Sequence, residues 1–180
     1  MTQIQTTRFG TLEINEEHLV EFRDGMIGFN ACKRYVVVES LATPHILWLQ
    51  SLDAPEIAFP LMEPQFFKKD YKAPLNDADK ASLNFLDGDK LKVFCVLTIP
   101  TNSEQMTVNM KAPLVINVDR ATAAQVILQD KSLELRAPAY EVFQNTWSAF
   151  TVQEQRAPQV VEENSWSPVA LRAQVRDASL

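Results

Sequence analysis

The stretch from Ile46 to Phe67 constrains the fold of this chain most, because it is the most apolar run in the sequence and contains its own reversal. Ile46–Leu52 has the composition of a buried strand. Asp53 and Pro55 then favour a turn, because an aspartate side chain can form a hydrogen bond with the nearby backbone and the proline ring fixes the angle φ. Ile57–Leu61 alternates apolar residues along one side of a second strand. The pattern predicts a hairpin whose side chains mostly belong to the core.

Pro60 lies within the second strand of this predicted hairpin. Because proline has no N–H to donate to a neighbouring strand, we expect the strand to lie at a sheet edge, or to leave the sheet, at this point. An edge that ends in Phe59 and Pro60 is a candidate docking surface.

Short strands separated by turns account for most of the remaining sequence up to Arg136. Leu91–Ile99 is apolar on both faces, which is typical of a central strand. Ala124–Gln129 fits a helix or a strand, and its β-branched residues favour a strand, while Leu133–Arg136 alternates as the last strand. The sequence predicts a mainly β fold: a small antiparallel barrel-like domain of nine or ten strands, or a barrel-like sandwich, with one or two short helices and a C-terminal extension.

The clearest helix follows Pro74. Asn76 can cap it, acidic residues follow in its first turn, and apolar residues then recur every three or four positions. Gly88 is expected to end it in the left-handed conformation. A further helical turn is expected after Asn30, and Gly28 predicts a bulge or a close approach of the backbone.

The character of the sequence changes after Ala137. We expect residues 1–140 to form the β domain and residues 141–180 to form a proline- and tryptophan-containing extension that is partly disordered or loosely docked. Trp147 and Trp166 are candidates for anchoring this extension on the barrel or on a partner.

The chain carries a formal net charge of −6 and has 2 cysteines. The acidic balance argues against direct binding of nucleic acid, which requires a basic surface, and suits a protein partner with a basic face. Cys32 and Cys95 have no metal-binding or redox spacing, and Cys95 is expected to be a small buried apolar residue. Without a signal-peptide pattern or an apolar run of about 18 residues, we expect a cytoplasmic protein that does not enter the membrane.

Motifs of catalysis are absent from the sequence, which has no glycine-rich phosphate loop, HExxH, CxxC or GxSxG. No cofactor or metal site is predicted. The two histidines, His18 and His45, stand alone. A small hydrolytic or ligand-binding barrel that uses either of them with a carboxylate is an alternative, and it requires a concave pocket where these groups converge.

Six segments together resemble the flagellar assembly factor FliW family, and they occur in the order found in that family: TTRFGTLEI, FRDGMIGFNACKRYVVVE, ILWLQSLDAPEIAFPLMEP, VFCVLTIP, VNMKAPLVIN and AAQVILQD. The resemblance covers Ile4 to Arg136, whereas this chain runs on to Leu180. It implies a non-enzymatic, β-barrel-like regulator. Such a protein binds the translational regulator CsrA and antagonises its repression of flagellin mRNA, from an allosteric rather than a competitive site, and it binds flagellin in the manner of a chaperone.

The hairpin turn carries the residues most suited to such partners. Asp53 and Glu56 can meet a partner's lysine or arginine, although Asp53 also fits a purely structural role in the turn. We predict a partner surface that contains Asp53, Glu56, Phe59 and Pro60, with Asn117 on a facing loop. The resemblance implies CsrA and flagellin as partners, without nucleic acid, and the free protein is expected to be monomeric. The alternative is a general chaperone for flagellar subunits that has no role with CsrA.

Overall fold

Seven strands close into a barrel in the computed structural model of this chain, which describes residues 2–40, 45–154 and 170–173. Within these residues the strands are β1 (Thr2–Thr6), β2 (Gly10–Ile14), β3 (Leu19–Phe22), β4 (Arg34–Ser40), β5 (Leu47–Ser51), β6 (Ala58–Met62), β7 (Leu91–Thr98), β8 (Thr107–Val108), β9 (Leu114–Asn117), β10 (Thr122–Gln125), β11 (Ala137–Pro138) and β12 (Ala170–Ala173). The helices are α1 (Asp77–Ser82) and α2 (Tyr140–Glu154), and 3-10 turns cover Glu16–His18, Pro64–Phe66 and Ser103–Gln105.

The barrel runs in the order β3-β4-β5-β6-β7-β9-β10 and then returns to β3. Neighbouring strands are antiparallel except at the closure, where β10 pairs with β3 in parallel through Thr122 opposite Glu21 and Ala123 opposite Phe22. β7 pairs with β6 along one edge and with β9 and β8 along the other, which confirms that it is a central strand. The predicted mainly β, barrel-like class is therefore confirmed.

Alternation along the strands divides the buried side chains into two layers. One layer draws residues from all seven barrel strands and fills the interior: Val20, Phe22, Tyr35, Val37, Leu49, Leu61, Phe94, Leu114, Ile116 and Ala123. The other layer lies outside the barrel wall and includes Val36, Val38, Trp48, Met62, Cys95 and Val115. Because both faces are covered, most residues in the strands of the β5–β6 hairpin are apolar.

The β1–β2 hairpin covers one part of the outer layer. Gly10 has φ +64°, as a tight turn requires. The Phe9 ring meets the buried Trp48 edge-on with ring centroids 5.9 Å apart. The Arg8 guanidinium lies 4.1 Å from the centroid of the same indole ring, which gives a cation–π contact.

Helix α1 begins as predicted and ends earlier. The Asn76 side chain accepts a hydrogen bond from Asp79 N at 2.9 Å, so Asn76 is the N-cap. The predicted end at Gly88 is wrong, because the helix stops at Ser82. The carbonyl of the fully buried Leu83 accepts hydrogen bonds from the Asn117 and Thr122 side chains instead of continuing the helical ladder.

Two other local predictions are also wrong. Residues after Asn30 form a turn rather than a helix, and Cys32 N donates to Phe29 O at 3.0 Å. The close backbone approach occurs at Gly25 instead of Gly28. A Cβ at Gly25 would lie 2.8 Å from Asn30 Cα, whereas one at Gly28 would meet nothing within 4 Å.

The strand predictions near the end of the domain are only partly correct. β10 covers Ala124 and Gln125 but not the rest of Ala124–Gln129. Leu133–Arg136 is not a strand, and pairing with β8 begins at Ala137. Alternation predicted a strand that buries both leucines on one face, but only Leu133 packs within the outer layer, while Leu135 is 60% exposed.

The part of the extension that the structure describes includes most of a helix and one strand. α2 begins at Tyr140, and Phe143 packs against the outer layer with its ring centroid 6.0 Å from that of Trp147. β12 pairs with β4 in parallel. The predicted anchor Trp166 lies outside the described residues.

Candidate interaction surface

Asp53 joins the central hairpin to the beginning of β4. Its carboxylate accepts hydrogen bonds from Lys33 N at 2.7 Å, Arg34 N at 2.9 Å and Arg34 Nε at 2.9 Å. The Arg34 Nη2 atom lies 2.8 Å from Asp53 Oδ1, so both guanidinium nitrogens bind one carboxylate oxygen while the other oxygen accepts the two backbone N–H groups. Burial acts to raise the pKa of this carboxyl group, but these hydrogen bonds and the guanidinium charge outweigh burial and hold the pKa below its ordinary value.

The turn that carries Asp53 and Glu56 is rigidly held from inside. The buried Gln50 donates through Nε2 to Pro55 O and Ile57 O, both at 3.1 Å. Ser51 Oγ accepts a hydrogen bond from Asp53 N at 3.2 Å and another from the next backbone N–H at 3.1 Å. Glu56 is exposed on this turn, so its carboxylate is presented to solvent from a fixed backbone.

Phe59 lies at the end of the interior row of β6, where the barrel opens. Leu61, two residues further along the row, is fully buried, whereas Phe59 is half-buried. Phe29, from the β3–β4 connection, covers Phe59 with ring centroids 5.0 Å apart and is 38% exposed. Tyr35 lies beneath Phe59 at 6.5 Å. We call Phe29, Tyr35 and Phe59 the mouth patch.

Pro60 lies at a local sheet edge, as predicted. β6 pairs with β5 through Ala58–Leu61, but its pairing with β7 begins only at Leu61. Ser51 N donates to Ile57 O at 2.9 Å, so alternation turns the backbone nitrogen of Pro60 away from β5, toward the edge that β7 leaves unpaired. The missing N–H therefore costs no hydrogen bond with β5.

Asn117 differs from the other predicted site residues, which are exposed or half-buried. It is at the end of β9 rather than on a loop, and its side chain is fully buried. Its Nδ2 atom donates to Leu83 O at 3.2 Å and to Asp89 Oδ2 at 2.9 Å. The hydrogen bonds from Asn117, Leu86 N and Arg120 lower the pKa of Asp89 to about 2. The structure thus places Asn117 as a brace between β9 and the segment after α1.

The structure places Glu56, Phe59 and Pro60 on one hairpin and adds Phe29, which the sequence alone did not single out. The signal for Phe29 was present in the sequence: Ile27 and Phe29 are large apolar residues within a turn rich in glycine. Both are exposed, Ile27 at 55%. Large apolar residues exposed on a loop often mark a binding surface.

Two grooves on the described part of the surface have no histidine in their lining. The first, of about 480 Å³, lies between α2 and the segment after β7, and its lining includes Ile99, Met106, Phe143 and Trp147. The second, of about 670 Å³, lies beside Tyr71 and Ile127. The convergence of His18 or His45 with a carboxylate in a pocket, which a hydrolytic site requires, does not occur in either groove.

Both cysteines are buried and free of disulfide bonds. Cys95 is fully buried, and burial raises the pKa of its thiol to about 12. Across the described side chains, no three histidine, cysteine, aspartate or glutamate residues are grouped so that they could hold a metal ion. Within the same part of the chain, no helix has the combination of length and apolar character that crossing a membrane needs.

Comparison with known proteins gives a consistent result. The family model described as "FliW protein" matches residues 3–139. A flagellar assembly factor FliW from Bdellovibrio bacteriovorus is 36% identical over 98% of this chain and 99% of that protein. One from Lachnoclostridium phytofermentans is 35% identical over 79% of this chain and 93% of that protein.

A solved structure also resembles this fold. The crystal structure of a flagellar assembly factor FliW has a TM-score of 0.70 and 29% sequence identity, and the match covers 76% of this chain and 96% of that one. Sequence and fold therefore agree over the barrel domain, and this chain belongs to the FliW family of flagellar assembly factors.

Proposed function

We propose that this flagellar assembly factor is a cytoplasmic switch between two protein partners. In one state it binds CsrA and antagonises the repression of flagellin mRNA. In the other it binds newly made flagellin and releases CsrA. The two partners are mutually exclusive, so the level of one sets the amount of the other that is free.

The observation that carries the proposal is the rigid turn of Glu56 near Phe29, the exposed member of the mouth patch, on a protein with a net charge of −6. An RNA-binding protein such as CsrA presents basic surface, which an acidic protein attracts. Exposed aromatic residues at the centre of a contact contribute much of its binding energy. The surface therefore combines an electrostatic and an apolar element.

Titration calorimetry against CsrA and flagellin, first separately and then in competition, tests the switch. We expect binding to each partner alone and displacement of CsrA by flagellin. Binding to flagellin without binding to CsrA would favour the second candidate, a chaperone for flagellar subunits. That candidate is supported by the groove beside α2, whose lining includes the aromatic residues Phe143 and Trp147.

Replacing Glu56 by lysine is expected to weaken CsrA binding about tenfold or more, since the loss of charge-paired contacts is worth about 1–3 kcal/mol. The matched control is Glu16→Lys, which changes the net charge equally at another exposed position. Calorimetry on both variants separates a local contact from a general charge effect. Equal weakening in the two variants would remove Glu56 from the contact surface.

Replacing Phe29 by serine is expected to weaken flagellin binding by tenfold or more, because an apolar flagellin terminus would lose an exposed aromatic contact. The control is Leu86→Ser, at an apolar side chain that is 56% exposed near the end of α1. Unchanged flagellin affinity in a folded Phe29→Ser protein would move the flagellin site away from the mouth patch.

A further inference from the structure

One edge of β4 is only partly covered by its neighbour in the barrel. β3 pairs with β4 through Arg34, Tyr35 and Val36. The residues just before β3 turn away as the 3-10 turn Glu16–His18. β4 nevertheless continues to Ser40. On the side of β3, its edge from Val37 onward is therefore not paired with a barrel strand and can accept another strand.

The chain's own C-terminal strand occupies this edge. β12 pairs with β4 in parallel, with Ala170 opposite Val37 and Ala173 opposite Ser40. Among the described strands, β12 pairs with β4 alone. A four-residue parallel strand with one neighbour is weakly held, because parallel pairing is slightly less stable per residue than antiparallel pairing and short edge strands contribute little.

The residue types at one position of this register carry opposite charges. Arg172 stands opposite Glu39 across the ladder, and directly opposed residues of unlike charge favour a pairing. The edge of β4 therefore favours a strand that carries a basic residue at the position opposite Glu39.

The covering strand lies outside the part of the chain that the family model matches. The family model ends at residue 139. The edge of β4 belongs to the domain that the family model matches, whereas the strand that covers the edge belongs to the extension. The relative from Bdellovibrio bacteriovorus matches nearly the whole of this chain and so has a counterpart of the extension.

We propose that the edge of β4 at Val37–Ser40 is a second docking site, which accepts an extended strand with a basic residue from a partner protein. β12 occupies this edge when the partner is absent, and the partner's strand displaces it. The site is separate from the mouth patch and does not depend on the partner switch proposed above. Strand addition supplies backbone hydrogen bonds, and the residue opposite Glu39 supplies selectivity. Because β12 belongs to the same chain, its effective concentration at the edge is high, and it competes with the partner strand. A partner strand displaces β12 only if it binds the edge more tightly.

A peptide exchange experiment tests this site. A fluorescent peptide with the sequence of residues 168–176 is added to the full chain and to a chain that ends at Glu154. The shorter chain keeps the whole domain that the family shares, and far-UV circular dichroism with a thermal melt checks its folding. We expect fluorescence anisotropy to show binding to the shorter chain and binding at least about tenfold weaker to the full chain.

Charge exchange provides the matched control. A peptide with Arg172→Glu is expected to bind the shorter chain several-fold more weakly than the original peptide does. Introducing Glu39→Arg into the shorter chain is expected to restore binding of this altered peptide. Equal binding of the original peptide to both chains would overturn the proposal, as would no binding to a folded shorter chain.

A second variant covers the case in which the shorter chain does not fold. The full chain with both Leu171→Pro and Arg172→Pro loses a ladder N–H whichever of the two faces β4. It is expected to gain peptide binding. If it binds the peptide no better than the unmodified chain, β12 does not compete for the edge and the proposal fails.

Discussion

Replacing Trp48 by alanine is expected to lower the free energy of unfolding by about 3–5 kcal/mol, the range for removing a large aromatic side chain from a core. Trp48 is only 3% exposed and lies between the barrel wall and the β1–β2 hairpin. Its loss opens a cavity, removes the edge-on contact with Phe9 and leaves the Arg8 guanidinium without its aromatic face.

Urea unfolding followed by circular dichroism measures this loss, with Leu135→Ala as the control. Leu135 is 60% exposed, so its truncation is expected to change the free energy of unfolding by less than about 0.5 kcal/mol. A loss at Trp48 below about 1 kcal/mol would contradict the packing of the hairpin against the barrel. A Phe9→Ala and Trp48→Ala double-mutant cycle would locate the coupling, expected at about 0.5–1.5 kcal/mol.

Replacing Asp53 by alanine is expected to cost about 1.5–3 kcal/mol of unfolding free energy, because hydrogen bonds to a charged group are the stronger ones. The change leaves Lys33 N, Arg34 N and the Arg34 guanidinium without this acceptor. Glu56→Ala is the matched control on the same turn, since Glu56 is exposed and its loss is expected to change stability by less than about 0.5 kcal/mol. Equal losses in the two variants would contradict a structural role for Asp53.

The stabilisation from Asp53 is expected to depend on pH. Its pKa in the folded protein is below the ordinary value, so the unfolded chain takes up a proton first as the pH falls. The stabilisation is complete above the ordinary aspartate pKa of about 4 and disappears as the pH falls through the lower folded-state value. Unfolding measured from pH 7 down to pH 3 should therefore show the Asp53→Ala protein approaching the unmodified protein in stability at the acidic end.

The bonds of Asp53 also change how its part in partner binding should be tested. A variant that replaces both Asp53 and Glu56 by lysine would break the contact with Arg34 as well as any contact with a partner. Weaker binding in that double variant could then result from local unfolding. Glu56 alone separates the two effects, because its side chain is exposed and the turn beneath it is held by Gln50 and Ser51.

The sequence alone determined the features that act over a few residues. The hairpin of β5 and β6, the cap at Asn76, the sheet edge at Pro60 and the central position of β7 all follow from backbone chemistry or from alternation. Each of these preferences acts through the residue itself or its near neighbours in the chain. The number of short strands predicted from these local preferences was enough to indicate a barrel-like class, without knowledge of which strands pair.

Only the tertiary structure decided which distant segments meet. The parallel pairing of β10 with β3 joins residues about a hundred positions apart, and nothing local to either strand selects it. The end of α1 was decided by Asn117 and Thr122, whose side chains take the Leu83 carbonyl. The meeting of Phe29 with Phe59 depends in the same way on closure of the barrel. Such contacts are selected by the packing of the whole core, and local preference is too weak to choose among the alternatives.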